Sequence, residues 1–122
     1  MLKVAPLGGV RAALEVAERI GLPVVVSSAL ETSVGLAAGV ALAAALPELP
    51  YACGLATLGL LAGDVVTEPL RPVAGMLPVR AVTVDEDRLA AHRMAPDDEA
   101  FWRDRLATTR ALATAAAGAS RG

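Results

Sequence analysis

Residues 22–46 read LPVVVSSALETSVGLAAGVALAAAL, which is an apolar β-branched run, a polar joint and a long apolar stretch. The three valines at 24–26 are consecutive rather than alternating with polar residues, a pattern that predicts a parallel strand buried on both faces. The run turns polar at Ser27 and Ser28, before the apolar stretch resumes as a helix. Polar side chains therefore collect at the carboxyl end of a buried strand, where α/β folds place ligand chemistry.

The order of strand, turn and helix recurs on both sides of this unit. Residues 2–4 predict a short strand, and residues 10–20 predict an amphipathic helix that ends at Gly21. After the central unit, residues 51–55 are a weaker strand candidate and residues 57–62 a short helix. Because the helix follows the strand each time, the alternation predicts an α/β fold with a parallel sheet.

The pattern changes in the C-terminal third of the chain. Residues 79–84 alternate apolar with polar side chains, as an exposed or edge strand does. Asp85 can cap a short helix that runs to His92, and Pro96 with the acidic residues after it begins the last helix. One stripe of this helix is suited to docking; it consists of Trp102, Leu106, Thr109 and Ala113.

Composition limits the possible functions. The chain has 122 residues, of which 55% are hydrophobic and 2% aromatic, so the expected core is made of Ala, Val and Leu. A net charge of −2 with scattered basic residues argues against nucleic-acid binding. The one cysteine, Cys53, is expected to be a small buried hydrophobe in a cytoplasmic protein. Neither an export signal nor an apolar stretch of the roughly 20 residues that span a bilayer is visible.

Lys3 is the first candidate for chemistry. It is the only lysine among eleven basic residues, and it lies between Leu2 and Val4 in the first predicted strand. A lysine in an apolar, partly desolvated site can act as an acid, a base or a positioned cation. The alternative is a lysine that extends its ammonium into water.

Other polar residues have structural as well as functional interpretations. Ser27 and Ser28 can be turn or capping residues, and Thr32 is an equally good helix cap. Glu31 can be a catalytic carboxylate or an acidic residue that complements the helix dipole. His92 is expected to be solvated. No Ser–His–Asp order, phosphate loop or Cys/His metal spacing is present in the sequence.

Three segments carry a family resemblance: LKVAPLGG at 2–9, GLPVVVSSALETSVGLAAG at 21–39 and ALPELPYACGLATL at 45–58. Together they resemble the last three barrel strands of the o-succinylbenzoate synthase family, in the enolase superfamily, and SSALETSVG is the most specific part. The resemblance implies a partial (β/α)8 TIM barrel, namely the last three β/α units (strands six to eight), plus a C-terminal strand and helix that pack back towards a capping domain.

The resemblance also implies roles by position. Lys3, at the end of strand six, would stabilise an enediolate intermediate, and Ser27 and Ser28 would hold the succinyl arm of the substrate. Gly54 and Leu55 lie where the eighth strand would meet the substrate. The implied lyase reaction removes water from a succinyl-hydroxycyclohexadiene carboxylate to give o-succinylbenzoate in menaquinone biosynthesis, with a divalent metal, usually Mg²⁺.

The chain departs from the family pattern in what it lacks. The lysine pair of strand two and the acidic metal ligands of strands three to five have no counterpart, so we expect no metal site and negligible turnover from these residues alone. The alternatives are another superfamily enzyme, such as an N-succinylamino acid racemase, and a non-catalytic fragment that acts only with a partner chain. Exposed sheet edges would favour self-association or such pairing.

The expected organisation follows from the resemblance and the pattern. Residues 1–78 are expected to form the barrel part and residues 79–117 a C-terminal strand and helices. Residues 118–122 are expected to be a frayed tail.

Overall fold

The structure is a computed structural model that describes residues 1–119. Two compact units divide the chain, one formed by Met1–His92 and the other beginning at Arg93. The boundary expected after residue 78 separates the barrel part from the C-terminal strand and helices. The two compact units do not test this boundary, so it stays a prediction. No helix within the described residues combines the length and apolarity needed to cross a bilayer.

Three short extended segments pair in parallel at the centre of the first unit. Leu2 and Val26 form one parallel bridge, in which the Ser27 N–H donates to the Leu2 carbonyl at 2.9 Å. Ser27 and Gly54 form the second bridge, in which the Gly54 N–H donates to the Val26 carbonyl at 2.8 Å. The valine segment therefore lies between the other two, and the parallel pairing agrees with the expected parallel sheet.

The extended segments are shorter than the sequence predicts. Helix α1 (Val4–Leu7) begins directly after Lys3, so the strand expected at residues 2–4 is reduced to the pairing of Leu2. Pro6 lies in the first turn of α1, where its missing N–H costs no helical hydrogen bond. The residues between the expected strand and α2 therefore include a one-turn helix.

Two longer helices cover one face of the parallel segments. Helix α2 (Val10–Ile20) ends at Gly21, whose left-handed φ of 60° confirms the expected C-cap, and helix α3 (Ser33–Ala45) follows the polar joint as predicted. The short helix expected at 57–62 is a 3₁₀ helix at Thr57–Leu60. The largest fully buried apolar side chains confirm the aliphatic core: Leu36, Leu42, Leu58, Leu70, Val26 and Val66.

Burial of the valine segment alternates. Val24 and Val26 are buried, whereas Val25 is half-buried. The expectation of burial on both faces is therefore wrong for the second face, because α2 and α3 cover only the side to which Val24 and Val26 point.

The remaining elements agree with the predicted order and differ in length. An antiparallel bridge joins Val66 to Val84, the only paired residue of the strand expected at 79–84 within the described chain. Asp85 caps helix α4 (Glu86–Ala91) as expected, by accepting the Arg88 N–H at 3.0 Å.

In the second unit, helix α5 (Pro96–Ala119) begins at the expected proline. Its predicted docking stripe is exposed to solvent within this unit. Of the expected frayed tail, residues 118 and 119 are helical, and residues 120–122 lie outside the described residues.

Candidate functional site at the ends of the parallel segments

Lys3, Ser27 and Gly54 lie on one face of the parallel segments. Leu2 and Val26 pair with each other and are buried on the helix-covered face, so the next residue of each segment points to the opposite face. Gly54 pairs with Ser27 and shares its face; a Cβ on Gly54 would lie 3.1 Å from Ser27 Oγ. The register therefore brings together three positions that are 24 to 51 residues apart in sequence.

Two side chains on this face donate hydrogen bonds to the same backbone carbonyl oxygen. Lys3 Nζ donates a short hydrogen bond to the Ser28 carbonyl, and Ser27 Oγ donates to the same oxygen at 3.3 Å. Lys3 and Ser27 are both half-buried. The lysine ammonium is thus tied to the carboxyl end of the valine segment rather than extended into water.

The Lys3 ammonium carries uncompensated positive charge. Within residues 1–119 it has no ion-pair partner and only the Ser28 carbonyl as an acceptor. An ammonium has three N–H donors, so two remain for another molecule. The arrangement suits an anionic substrate or negative charge that develops during a reaction.

The Ser28 side chain faces away from the lysine. Its Oγ donates to the Gly54 carbonyl at 3.1 Å and lies 2.7 Å from Thr57 Oγ1, and Ser28 is only 4% exposed. Ser28 therefore contributes its carbonyl to the Lys3 face, while its hydroxyl is bound on the helix side. Thr57 was not among the sequence candidates; as a lone polar residue between the apolar neighbours Ala56 and Leu58, it could have been noticed.

Leu55 also points away from the Lys3 face. It is 5% exposed, and its Cδ2 lies 2.9 Å from the position that a Cβ on Gly39 would occupy. Only the backbone of residues 54 and 55 can therefore reach a ligand on the open face. The missing side chain of Gly39 lets α3 approach this segment closely.

A second polar cluster, Ser33 with Asp64, is fully internal. One carboxylate oxygen of Asp64 accepts the Ser33 N–H at 3.0 Å and the Val65 N–H at 2.9 Å, and the other accepts the Ser33 hydroxyl. Ser33 Oγ accepts the Leu70 N–H at 2.7 Å. All these partners belong to the protein, so the cluster fixes the start of α3 and is not a binding site.

This cluster corrects the expected capping. Thr32 occupies the N-cap position of α3, but its side chain makes no capping hydrogen bond, and Asp64 supplies the acceptor instead. Ser27 and Ser28 cap no helix, because their hydroxyls bind the Ser28 carbonyl, the Gly54 carbonyl and Thr57.

The other candidates have local surroundings. Cys53 is half-buried against the core, as a small hydrophobe would be. His92 is exposed, with its ring packed against Gly63 and its Nδ1 2.8 Å from the Arg88 carbonyl. The Glu31 side chain lies against Gly35 in the first turn of α3. None of these side chains has a hydrogen bond to Lys3 or Ser27 in the described part of the chain.

Metal ligands are not clustered in the described residues. Across residues 1–119, no three His, Cys, Asp or Glu side chains come together in a group that could hold a metal ion. These residues therefore do not fit a metal centre, and the chemistry that the described site itself offers is that of a positioned cation, a hydroxyl and backbone groups.

Several curated proteins are similar to this chain over most of its length. The o-succinylbenzoate synthase of Thermobifida fusca is 70% identical over 111 residues, which are 91% of this chain and 34% of that protein. The synthase of Mycobacterium tuberculosis H37Rv is 55% identical over 87% of this chain and 32% of its own length. That of Mycobacterium leprae is 52% identical over 97% and 35%. The chain thus spans about a third of the length of the curated relatives it matches.

Solved structures and a family model extend the comparison. The 2-chloromuconate cycloisomerase of Rhodococcus opacus 1CP is 34% identical with a TM-score of 0.59, over 70% of this chain and 24% of that one. The muconate lactonizing enzyme of Pseudomonas putida is 30% identical with a TM-score of 0.61, over 69% and 26%. The model of the family described as "Enolase C-terminal domain-like" matches residues 1–88, well over half of the chain. The chain therefore belongs to the enolase C-terminal domain-like family.

Proposed function

We propose that this chain forms the last three β/α units of the (β/α)8 barrel of an o-succinylbenzoate synthase. The reaction would be the dehydration of a succinyl-hydroxycyclohexadiene carboxylate to o-succinylbenzoate in menaquinone biosynthesis, in the cytoplasm. One observation carries the proposal: the Lys3 ammonium and the Ser27 hydroxyl converge on one carbonyl at the carboxyl ends of three parallel segments. Barrel enzymes of this type have their chemistry at that end of the strands.

The relatives support the synthase over other enzymes of the superfamily. The synthases share 52–70% of residues with this chain, whereas the two cycloisomerase-type structures share 30–34%. An N-succinylamino acid racemase remains the alternative within the superfamily, and it is an arm of the experiment below.

Lys3 would act on charge that develops in the reaction. Removal of a proton next to a carboxylate produces an enediolate, whose extra negative charge must be stabilised. The ammonium is held by the Ser28 carbonyl and has two free N–H donors within the described site, so it is oriented before the charge appears. A preorganised donor of this kind contributes about 10²–10³-fold to kcat.

The neighbouring groups would bind the substrate. Ser27 offers a hydroxyl on the Lys3 face, and the backbone of Gly54 and Leu55 borders the same face. A Cβ on Gly54 would lie 3.1 Å from Ser27 Oγ, so glycine leaves room beside this hydroxyl for the succinyl arm. Ser28, whose hydroxyl is turned inward, would take part through its carbonyl.

The proton-abstracting base and the metal are not assigned to this chain. Enzymes of the enolase superfamily typically use a divalent metal, and we expect magnesium, but residues 1–119 form no cluster that could bind one. The base and the ligands would come from further barrel strands, in the same polypeptide or in a partner. Within the described residues, the Leu2 and Gly54 segments each pair on one side only, which leaves edges for such strands or for a second copy.

A chimera tests the proposed function. The matching third of the Thermobifida fusca synthase would be replaced by this chain. Turnover would then be assayed with magnesium on the synthase substrate and on N-succinylamino acids. We expect synthase activity within about tenfold of the parent, and a loss of about 10²–10³-fold in kcat in the chimera with Lys3→Met. The isolated 122-residue chain should show negligible turnover.

Four results would count against the proposal or a part of it. A folded, magnesium-binding chimera without synthase activity would contradict it. A Lys3→Met chimera with unchanged kcat would remove Lys3 from the mechanism. A clear preference for racemisation would favour the alternative enzyme. Robust turnover by the isolated chain would overturn the expectation that other strands supply the base and the metal.

A further inference from the structure

We propose that Thr57 is a positioning residue for Lys3 and acts through Ser28. Thr57 Oγ1 and Ser28 Oγ are 2.7 Å apart, and Ser28 Oγ donates to the Gly54 carbonyl at 3.1 Å. A serine hydroxyl has one proton, so Thr57 is the donor in the hydroxyl pair. The result is a chain of two hydrogen bonds, from Thr57 to Ser28 and from Ser28 to Gly54.

This chain of bonds fixes the residue whose carbonyl holds the lysine. Ser28 is anchored by its hydroxyl and also by its N–H, which donates to the Gly54 carbonyl at 3.0 Å. With the nitrogen and the side chain both held, the direction of the Ser28 carbonyl is restricted. That carbonyl is the acceptor for the Lys3 ammonium in the described residues.

The residues that follow Ser28 do not restrain its carbonyl in a comparable way. Ala29 and Leu30 are exposed, and Leu30 has a left-handed φ of 66°, a conformation that is unfavourable for a leucine. The Ser28 carbonyl therefore lies between a well-anchored residue and a strained, exposed turn. The orientation of this carbonyl therefore depends on the hydrogen bonds that hold Ser28 itself, including the one from Thr57.

Burial strengthens the effect. Ser28 is 4% exposed and Thr57 half-buried, so water cannot readily replace the threonine hydroxyl. Without that hydroxyl, the Ser28 side chain loses its donor, and the carbonyl that holds Lys3 becomes freer to move. We expect the ammonium to detach more often, while the fold is kept.

The chain itself provides a direct probe, because Lys3 is its only lysine. Lysine labelled with ¹⁵N at Nζ gives a single side-chain signal in NMR spectra of the 122-residue chain. The measured quantity is the rate at which the Lys3 ammonium protons exchange with water. The variants are Thr57→Val, which keeps the shape and loses the hydroxyl, and the matched control Thr57→Ser, which keeps the hydroxyl.

We expect Thr57→Val to raise the ammonium exchange rate by about fivefold, the effect of losing one ordinary hydrogen bond. Thr57→Ser should stay within about twofold of the unmodified chain on the same argument. Ser28→Ala, which keeps the carbonyl and removes the hydroxyl link, should resemble Thr57→Val. Backbone amide spectra report whether each variant is folded.

Two outcomes would overturn the inference. A folded Thr57→Val chain whose Lys3 signal and exchange rate match those of the unmodified chain would show that Thr57 does not position the lysine. Unfolding of both Thr57→Val and Ser28→Ala would show that the hydroxyl pair supports the fold instead.

The consequence for catalysis rests on the proposed function. In the chimera, Thr57→Val should lower kcat with little change in KM, and Thr57→Ser should restore kcat. Since the NMR measurement involves no turnover, failure of the positioning role and failure of the proposed function are distinguishable.

Discussion

Removal of the Asp64 carboxylate is expected to destabilise the first unit strongly. Asp64 is 4% exposed and accepts three hydrogen bonds, from the Ser33 N–H, the Val65 N–H and the Ser33 hydroxyl. Hydrogen bonds to charged groups contribute about 1.5–3 kcal/mol each, and the contributions are not additive. We therefore expect Asp64→Ala to lower the free energy of unfolding by about 3–5 kcal/mol. Asp64→Asn, which can keep the two backbone bonds, should cost about 1–2 kcal/mol.

Urea denaturation of the 122-residue chain, followed by circular dichroism, measures this loss. With an m-value of about 2 kcal/mol per M, a loss of about 4 kcal/mol lowers the midpoint by about 2 M. The matched control is Glu68→Ala in the same segment. The Glu68 side chain is 83% exposed and lies 3.9 Å from Arg80, so its removal should change stability by less than about 1 kcal/mol.

The result that would refute this reasoning is a midpoint for Asp64→Ala no lower than that of Glu68→Ala. A double-mutant cycle with Ser33→Ala adds a second check. Because Ser33→Ala removes the hydroxyl that donates to the Asp64 carboxylate and keeps the backbone N–H, the cycle isolates that hydroxyl bond and should give a coupling of at least about 1 kcal/mol. Additive effects would mean that the two groups do not interact as described.

Two further perturbations probe packing and charge. Gly39→Val should lower the free energy of unfolding by about 1–3 kcal/mol in the same urea assay, because even a Cβ would lie 2.9 Å from Leu55 Cδ2. Gly59→Ala should be nearly neutral, because a Cβ at residue 59 would meet no atom within 4 Å. The Arg103 side chain, by hydrogen bond and charge, lowers the pKa of Glu99. The Glu99–Arg103 pair therefore stabilises α5 fully at pH values above the ordinary glutamate pKa. This stabilisation is lost as the pH falls through the lowered pKa of Glu99. In an NMR titration, Arg103→Ala should raise the pKa of Glu99; an unchanged pKa would contradict the pairing.

Local signals in the sequence predicted most of the helices and the order of the extended segments. Gly21 ends α2, Asp85 caps α4 and Pro96 begins α5, each for a reason confined to a few neighbouring residues. The consecutive valines at 24–26 correctly indicated the central parallel segment. Such features depend on backbone preferences that act over one helical turn or less.

Lengths and tertiary partners could not be predicted in this way. The strand expected at 2–4 gives way to α1 after one paired residue, and Val25 is half-buried because helices cover one face only. Asp64 reaches the start of α3 from 31 residues away in sequence. No local pattern distinguishes such a carboxylate from a solvated one, because its partner is fixed by the fold.

The candidate site also has features that the sequence predicts and features that depend on tertiary partners. That Lys3 and Ser27 lie close together could be predicted, because residues at the ends of parallel strands meet at one edge of a sheet. The direction of the Ser28 hydroxyl was not foreseen, since it is set by Thr57, which is 29 residues further along the chain. The structure thus adds which groups face the open side and which face the helices.

The most direct test of the central claim is a crystal structure of the synthase chimera with o-succinylbenzoate bound. We expect the ligand on the open face of the parallel segments, beside the Lys3 ammonium and within reach of the Ser27 hydroxyl, with the Ser28 carbonyl still bound to Lys3. A ligand elsewhere, or a Lys3 ammonium on the opposite face from Ser27, would contradict the proposed site.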